Sequence, residues 1–173
     1  MEGKLTSLQP GDTAPDFVQD STEGVIQFHQ WPGNSWDVPF SHPGDVTPVC
    51  TTELGEVARP GPAFDQRNVK VIGLSADGLA EHNGWKGDIA ETQGCALKLP
   101  LLPDPDRNVS KRYGMIHPEA NDTLAVRSVF VIDDRKKVRL ALTYPASTAA
   151  TSKRSSASST ACTRRTTTRW RHR

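Results

Sequence analysis

Cys50 sits in the stretch HPGDVTPVCTTE, three residues after Thr47 and two after Pro48. A threonine hydroxyl is a good helix N-cap because it accepts a hydrogen bond from an unpaired first-turn amide. Proline suits the first helical position, where it forfeits no needed hydrogen bond. The spacing therefore predicts a helix from Val49 to about Arg59 with Cys50 in its first turn. The unpaired amides and the positive end of the helix dipole favour a thiolate there. They can lower a cysteine pKa well below its free value of about 8.5. A thiolate is the nucleophile of thiol redox chemistry. A small buried cysteine that only packs fits the same position, and position alone leaves both readings open.

Cys95 and Cys162 are the remaining cysteines, and no CxxC pair or Cys/His cluster has zinc spacing. The N-terminal MEGKLTSLQPGDTAPDF has no apolar signal-peptide core, so an intracellular protein is expected. A disulfide framework is not expected in a reducing compartment. The 173 residues suffice for one domain, mean hydropathy is −0.54, and no run of 18 apolar residues would span a membrane.

Several segments must position the cysteine. Val25–Phe28 and Trp36–Ser41 read as strands. Val69–Ser75 (VKVIGLS) and Ser128–Ile132 (SVFVI) are continuous apolar runs, the pattern of buried strands, the first of them parallel. His82–Thr92 carries Trp85 and Ile89 at helical spacing, and Asn108–Tyr113 reads as a short helix. Leu97–Leu102 leads into the turn PDPDR. Residues 133–136 form a turn, and Lys137–Tyr144 returns as an alternating strand. Strands alternating with helices and closing on a hairpin predict an α/β sheet with crossovers.

Composition changes near residue 146. Residues 146–173 hold seven of the 21 Lys and Arg and none of the 20 acids, which leaves 14 basic and 20 acidic side chains in residues 1–145. The tail also holds seven Thr and six Ser, with Trp170 its one large apolar residue. Such a segment is expected to be disordered. An arm of this charge could hold a nucleic acid or an anionic membrane, and that binding would vanish on deleting residues 149–173.

Pro43, Thr47 and Cys50 make the PxxxTxxC pattern of the peroxiredoxins, and SHPGDVTPVCTTELG closely resembles their one-cysteine class. PGDTAPDF, RNVKVIGLSAD, GWKGDI, LPDPDR, MIHPEANDTLAVRSVFVID and KKVRLALTYPAST resemble that class too, over about residues 8–148. The resemblance implies a thioredoxin-like fold, a central mixed sheet flanked by helices, and cofactor-free reduction of hydrogen peroxide and organic hydroperoxides. It implies Cys50 as the peroxidatic cysteine cycling through a sulfenic acid, Thr47 bonding to thiolate and peroxide, and Pro43 shielding the pocket. Arg127 would stabilise the thiolate and the developing oxyanion, a task for a fixed cation. His42 and Glu53 would support the site. The implied partners are peroxide and an external thiol (glutathione, thioredoxin or another), with a homodimer in intact relatives. No nucleic acid or membrane partner is expected, and the location is expected to be cytoplasmic. Cys95 does not lie in a resolving-cysteine motif, and Cys162 receives no role.

Some animal members of the class are also described as phospholipases using Ser, His and Asp. The positions to test are Ser35, His29 and Asp133 or Asp134. The lipase-like motif GDSWG becomes GNSWD at residues 33–37, and a nucleophile elbow needs small residues at its strained turn. A loop serine and a packed histidine are expected instead.

In the family YPAST continues into GRNF and an amphipathic helix. A GC-rich coding sequence for GRNFKEILRVIDSLHATDNHPVATP, read after loss of its first nucleotide, gives AATSKRSSASSTACTRRTTTRWRHR, which is residues 149–173. A one-nucleotide frameshift near Thr148 is therefore expected. The encoding DNA tests it: a neighbouring frame must read GRNF after YPAST. The domain is then residues 1–148 and the basic tail 149–173, with the C-terminal helix and extension lost. The chain is expected to be less stable and less active as a peroxidase than an intact relative, with a weakly active or inactive form as the alternative, and Pro60 and Pro62 disfavour a long helix after Cys50.

Overall fold

The computed structural model describes residues 8–44, 61–94, 96–116 and 127–144. The helix expected over 49–59 and the basic tail lie outside these residues. Two strands, β1 (Val18–Gln19) and β2 (Ile26–Gln27), form a small antiparallel ribbon. They are followed by β3 (Trp36–Ser41), α1 (Gly61–Gln66), β4 (Val69–Ser75) and α2 (Leu79–Gln93). Then come β5 (Leu101–Pro103), α3 (Asn108–Arg112), β6 (Arg127–Ile132) and β7 (Val138–Tyr144). The main sheet runs β5-β4-β3-β6-β7. β4 is parallel to β3 and β5, while β6 is antiparallel to β3 and β7. This is the expected mixed sheet flanked by helices.

The continuous apolar runs are buried because both sheet faces are covered. Every residue of β3 and β6 is buried, whereas edge strand β7 is half-buried or exposed beyond Val138. One face packs Trp36, Val38, Phe40, Val129 and Val131 against Phe64 of α1 and Trp85 and Ile89 of α2. The other packs Ile72, Leu74, Phe130 and Ile132 against Phe17 and Phe28 of the N-terminal region and Val109 and Tyr113. Gly73 lets β4 pass its neighbours closely: a Cβ there would lie 2.7 Å from Leu101 and 3.0 Å from Phe40. Helix α1 includes Pro62 in its first turn, where proline costs no intrahelical hydrogen bond. The strand expected over Val25–Phe28 contracts to Ile26–Gln27 and joins the ribbon, because Phe28 turns in to stack on Phe17 at 4.8 Å.

Asp37 is a buried carboxylate that the sequence did not flag. Lys136 Nζ donates to its Oδ2 at 3.2 Å, and its Oδ1 has no hydrogen-bond partner among the described residues. Burial pushes the Asp37 pKa up from 3.8 to about 7, and the attraction of Lys136 only partly opposes this. The folded protein therefore holds a proton that the unfolded chain releases near pH 4. The associated stability is present below about pH 4 and is lost as pH rises to about 7. Urea unfolding of wild type and Asp37→Asn from pH 5 to 8 reads this effect. Wild type should lose stability relative to the variant by on the order of 1 kcal/mol per pH unit up to about 7. Parallel pH profiles would exclude it.

Candidate active site

The sheet's register assembles one end of the site. Ser41, the last residue of β3, pairs with Ser128 of β6, whose N–H donates to Ser41 Oγ at 3.1 Å. His42 follows Ser41 and Arg127 precedes Ser128, so both lie at this end of the sheet. On the other side, β3 pairs in parallel with β4, and the His42 N–H donates to the Leu74 carbonyl at 3.0 Å. The carboxyl ends of β3 and β4 thus meet the start of β6, the crevice where open α/β sheets bind ligands.

His42, Pro43 and Arg127 are all buried, Arg127 to 3% exposure. A guanidinium taken out of water is costly unless its charge and donors are used. Its place at the crevice makes Arg127 suited to stabilising an anion. Cys50, Thr47, Glu53 and Cys95 lie outside the described residues. In the sequence Thr47 and Cys50 follow Pro43 and Gly44.

Sequence reasoning missed the lining of this crevice. Ser75 ends β4, is buried, and donates through Oγ to Asp77 Oδ2 at 2.7 Å. A Cβ on Gly44 would lie 3.7 Å from that same Asp77 oxygen. From α2, His82 and Trp85 lie against His42, with ring centroids 6.3 and 5.1 Å away. The signal was available: His82 stands three residues before Trp85, on the stripe that Trp85 and Ile89 define. Among the described residues no three His, Cys, Asp or Glu side chains group as metal ligands would.

The structure does not assemble the phospholipase residues. Ser35 Oγ donates to Asn68 Oδ1 at 2.8 Å, and His29 Nε2 bonds to the Ala14 carbonyl at 2.7 Å. Asp133 accepts the Arg135 and Lys137 amides at 2.9 and 2.8 Å and the Arg139 guanidinium at 2.6 and 2.7 Å. It pins the β6–β7 turn, and Asp134 is an exposed turn residue. GNSWD therefore opens a strand rather than forming a nucleophile elbow.

The model of the AhpC/TSA family matches residues 10–141. The chain belongs to that family. Its curated relatives there are peroxiredoxins. A 1-Cys peroxiredoxin of Dictyostelium discoideum is 48% identical over 141 residues, covering 82% of this chain and 58% of the relative. Peroxiredoxin-6 of Gallus gallus is 44% identical over 152 residues, covering 83% and 68%. The chain thus spans only about three fifths to two thirds of the length of these relatives. Among solved structures, a cysteine-to-serine variant of Peroxiredoxin 6 of Arenicola marina superposes with a TM-score of 0.87 at 36% identity. That match covers 93% of this chain and 76% of that one. A yeast mitochondrial 1-Cys peroxiredoxin, described with a thiol-resolving mechanism via glutathione/thioredoxin systems, gives 0.80 at 42% identity, covering 86% and 73%. As an AhpC/TSA protein the chain has the thioredoxin-like fold that its motifs implied.

Proposed function

We propose that this protein is a thiol-dependent peroxidase that reduces hydrogen peroxide and organic hydroperoxides through Cys50. The observation that supports the reading is the match to the AhpC/TSA family over residues 10–141, together with a buried arginine, Arg127, whose neighbour Ser128 pairs with Ser41, the residue before His42 and Pro43. In the first step the Cys50 thiolate attacks one peroxide oxygen and the O–O bond breaks. Sulfur is oxidised to sulfenic acid, and the leaving oxygen departs as water or alcohol after taking a proton. Arg127 stabilises the negative charge on that oxygen, and Thr47 bonds to the reacting atoms. An external thiol then forms a mixed disulfide with Cys50 and releases water. A second thiol restores the cysteine.

Glutathione or a thioredoxin is the reductant we infer, following the yeast relative. Such a cycle suits a reducing compartment, and we place the protein in the cytoplasm. Purified protein, hydrogen peroxide and a small thiol test the reading. Peroxide should disappear with multiple turnovers per chain, and consumption no faster than the thiol alone achieves would refute it.

We also propose that residues 149–173 are a frameshifted continuation outside the domain. On the helix-packed sheet face, Val71, Leu140 and Leu142 are only partly buried among the described residues. A helix supplied in the other frame would cover apolar surface of this kind. Replacing residues 149–173 with GRNFKEILRVIDSLHATDNHPVATP should therefore raise the melting temperature by several degrees, through about 1–3 kcal/mol of added burial. An unchanged melting temperature would contradict this proposal and leave the peroxidase reading standing.

A further inference from the structure

The α2 helix buries three side chains, His82, Trp85 and Ile89, at spacings of three and four residues. That is the stripe a helix turns to a core, and its first position carries an imidazole where an apolar side chain would pack at no polar cost. His82 is wholly buried. It is one of three rings around His42: Phe40 at 6.4 Å, His82 at 6.3 Å and Trp85 at 5.1 Å, the last tilted by 41°. Phe40 comes from β3, which ends one residue before His42, and the other two come from α2. The His42 ring thus packs against two elements, and among the described rings around it His82 and the indole of Trp85 carry hydrogen-bonding nitrogens.

The geometry points to His82 as a positioning residue for His42: packed beside it, it fixes the orientation of the imidazole that precedes Pro43 in the chain. This rests on the proposed peroxidase reading. His82 does not touch peroxide; it acts through His42. A ring held in one orientation matters because misplacement of about 1 Å at a reacting centre can cost about 100-fold in rate.

Three variants of the full chain separate positioning from packing. His82→Leu fills the stripe with an apolar side chain, and His82→Gln restores a polar group of similar reach. His42→Phe removes the imidazole on which His82 acts. Peroxide consumption and thermal unfolding are measured for each, and for His42→Phe combined with His82→Leu. His82→Leu should melt at or above the wild-type temperature yet react about tenfold more slowly, and His82→Gln should recover most of the rate. The double variant should be no slower than His42→Phe alone, since residues acting as a unit are not additive. A His82→Leu variant as fast as wild type would overturn the inference, as would losses that multiply in the double variant. Wild type without peroxide consumption would instead sink the functional reading, so the two failures are distinguishable.

Discussion

Cys50→Ser abolishes thiol-dependent peroxide consumption, lowering the rate at least about 10³-fold. The reacting species is an anion on sulfur. A thiol near pH 7 supplies it when a helix start and a nearby cation lower its pKa, and a serine hydroxyl in the same place stays protonated. Sulfur also accepts the transferred oxygen, a step that serine oxygen has no equivalent for. The substitution changes one small atom, so folding should be untouched and circular dichroism should superpose. Cys95→Ser is the internal comparison. Cys95 lies in no resolving motif, so that variant should keep the wild-type rate within about twofold, a change too small to matter in ΔG‡. A loss shared equally between the two cysteines would point to a different mechanism, in which Cys95 resolves the oxidised Cys50 within the chain.

Arg127→Gln slows the oxidation of Cys50 by about 10²–10³-fold, the cost of losing one preorganised group at a developing oxyanion. The argument is electrostatic. Arg127 is buried at the start of β6, where a cation is worth more than it is in water. Its backbone is held by the sheet, since Arg127 pairs with Tyr144 of β7 and its neighbour Ser128 with Ser41 of β3. Lysine keeps the charge but not the planar fork, so Arg127→Lys should fall between wild type and Gln. Part of the Gln deficit should return as pH is raised, because more of the Cys50 thiol then ionises without help. A deficit that is constant with pH would assign Arg127 to the transition state alone. No deficit in a folded variant would remove it from the site.

Much of the framework was legible because burial leaves a direct trace in sequence. VKVIGLS matched β4 residue for residue and WDVPFS matched β3, since strands covered on both faces need continuous runs without charges at most positions. Asp37 is the fully buried charge inside such a run, where Lys70 of β4 is only partly buried, and its partner Lys136 lies far along the chain in a turn that reads as ordinary surface. The ribbon strands β1 and β2 have two residues each, too few for any period to show. Cys50, Thr47, Pro43 and Arg127 were found through the motif and its surroundings, not through geometry. That His42 and Arg127 come to the same end of the sheet depends on pairing between strands widely separated in sequence, which no local pattern records. His82 was overlooked because an imidazole on a core stripe reads as an interruption of the stripe until the neighbouring ring is seen.

The central claim is that Cys50 is the residue peroxide oxidises. One equivalent of hydrogen peroxide is added to the reduced protein, the sulfenic acid is trapped with a carbon nucleophile such as dimedone, and the peptide bearing Cys50 is weighed. The account predicts an adduct on Cys50, formed within seconds and absent from Cys95 and Cys162. An unmodified Cys50 beside a modified Cys95 or Cys162, or no adduct at all while peroxide is consumed, would contradict it.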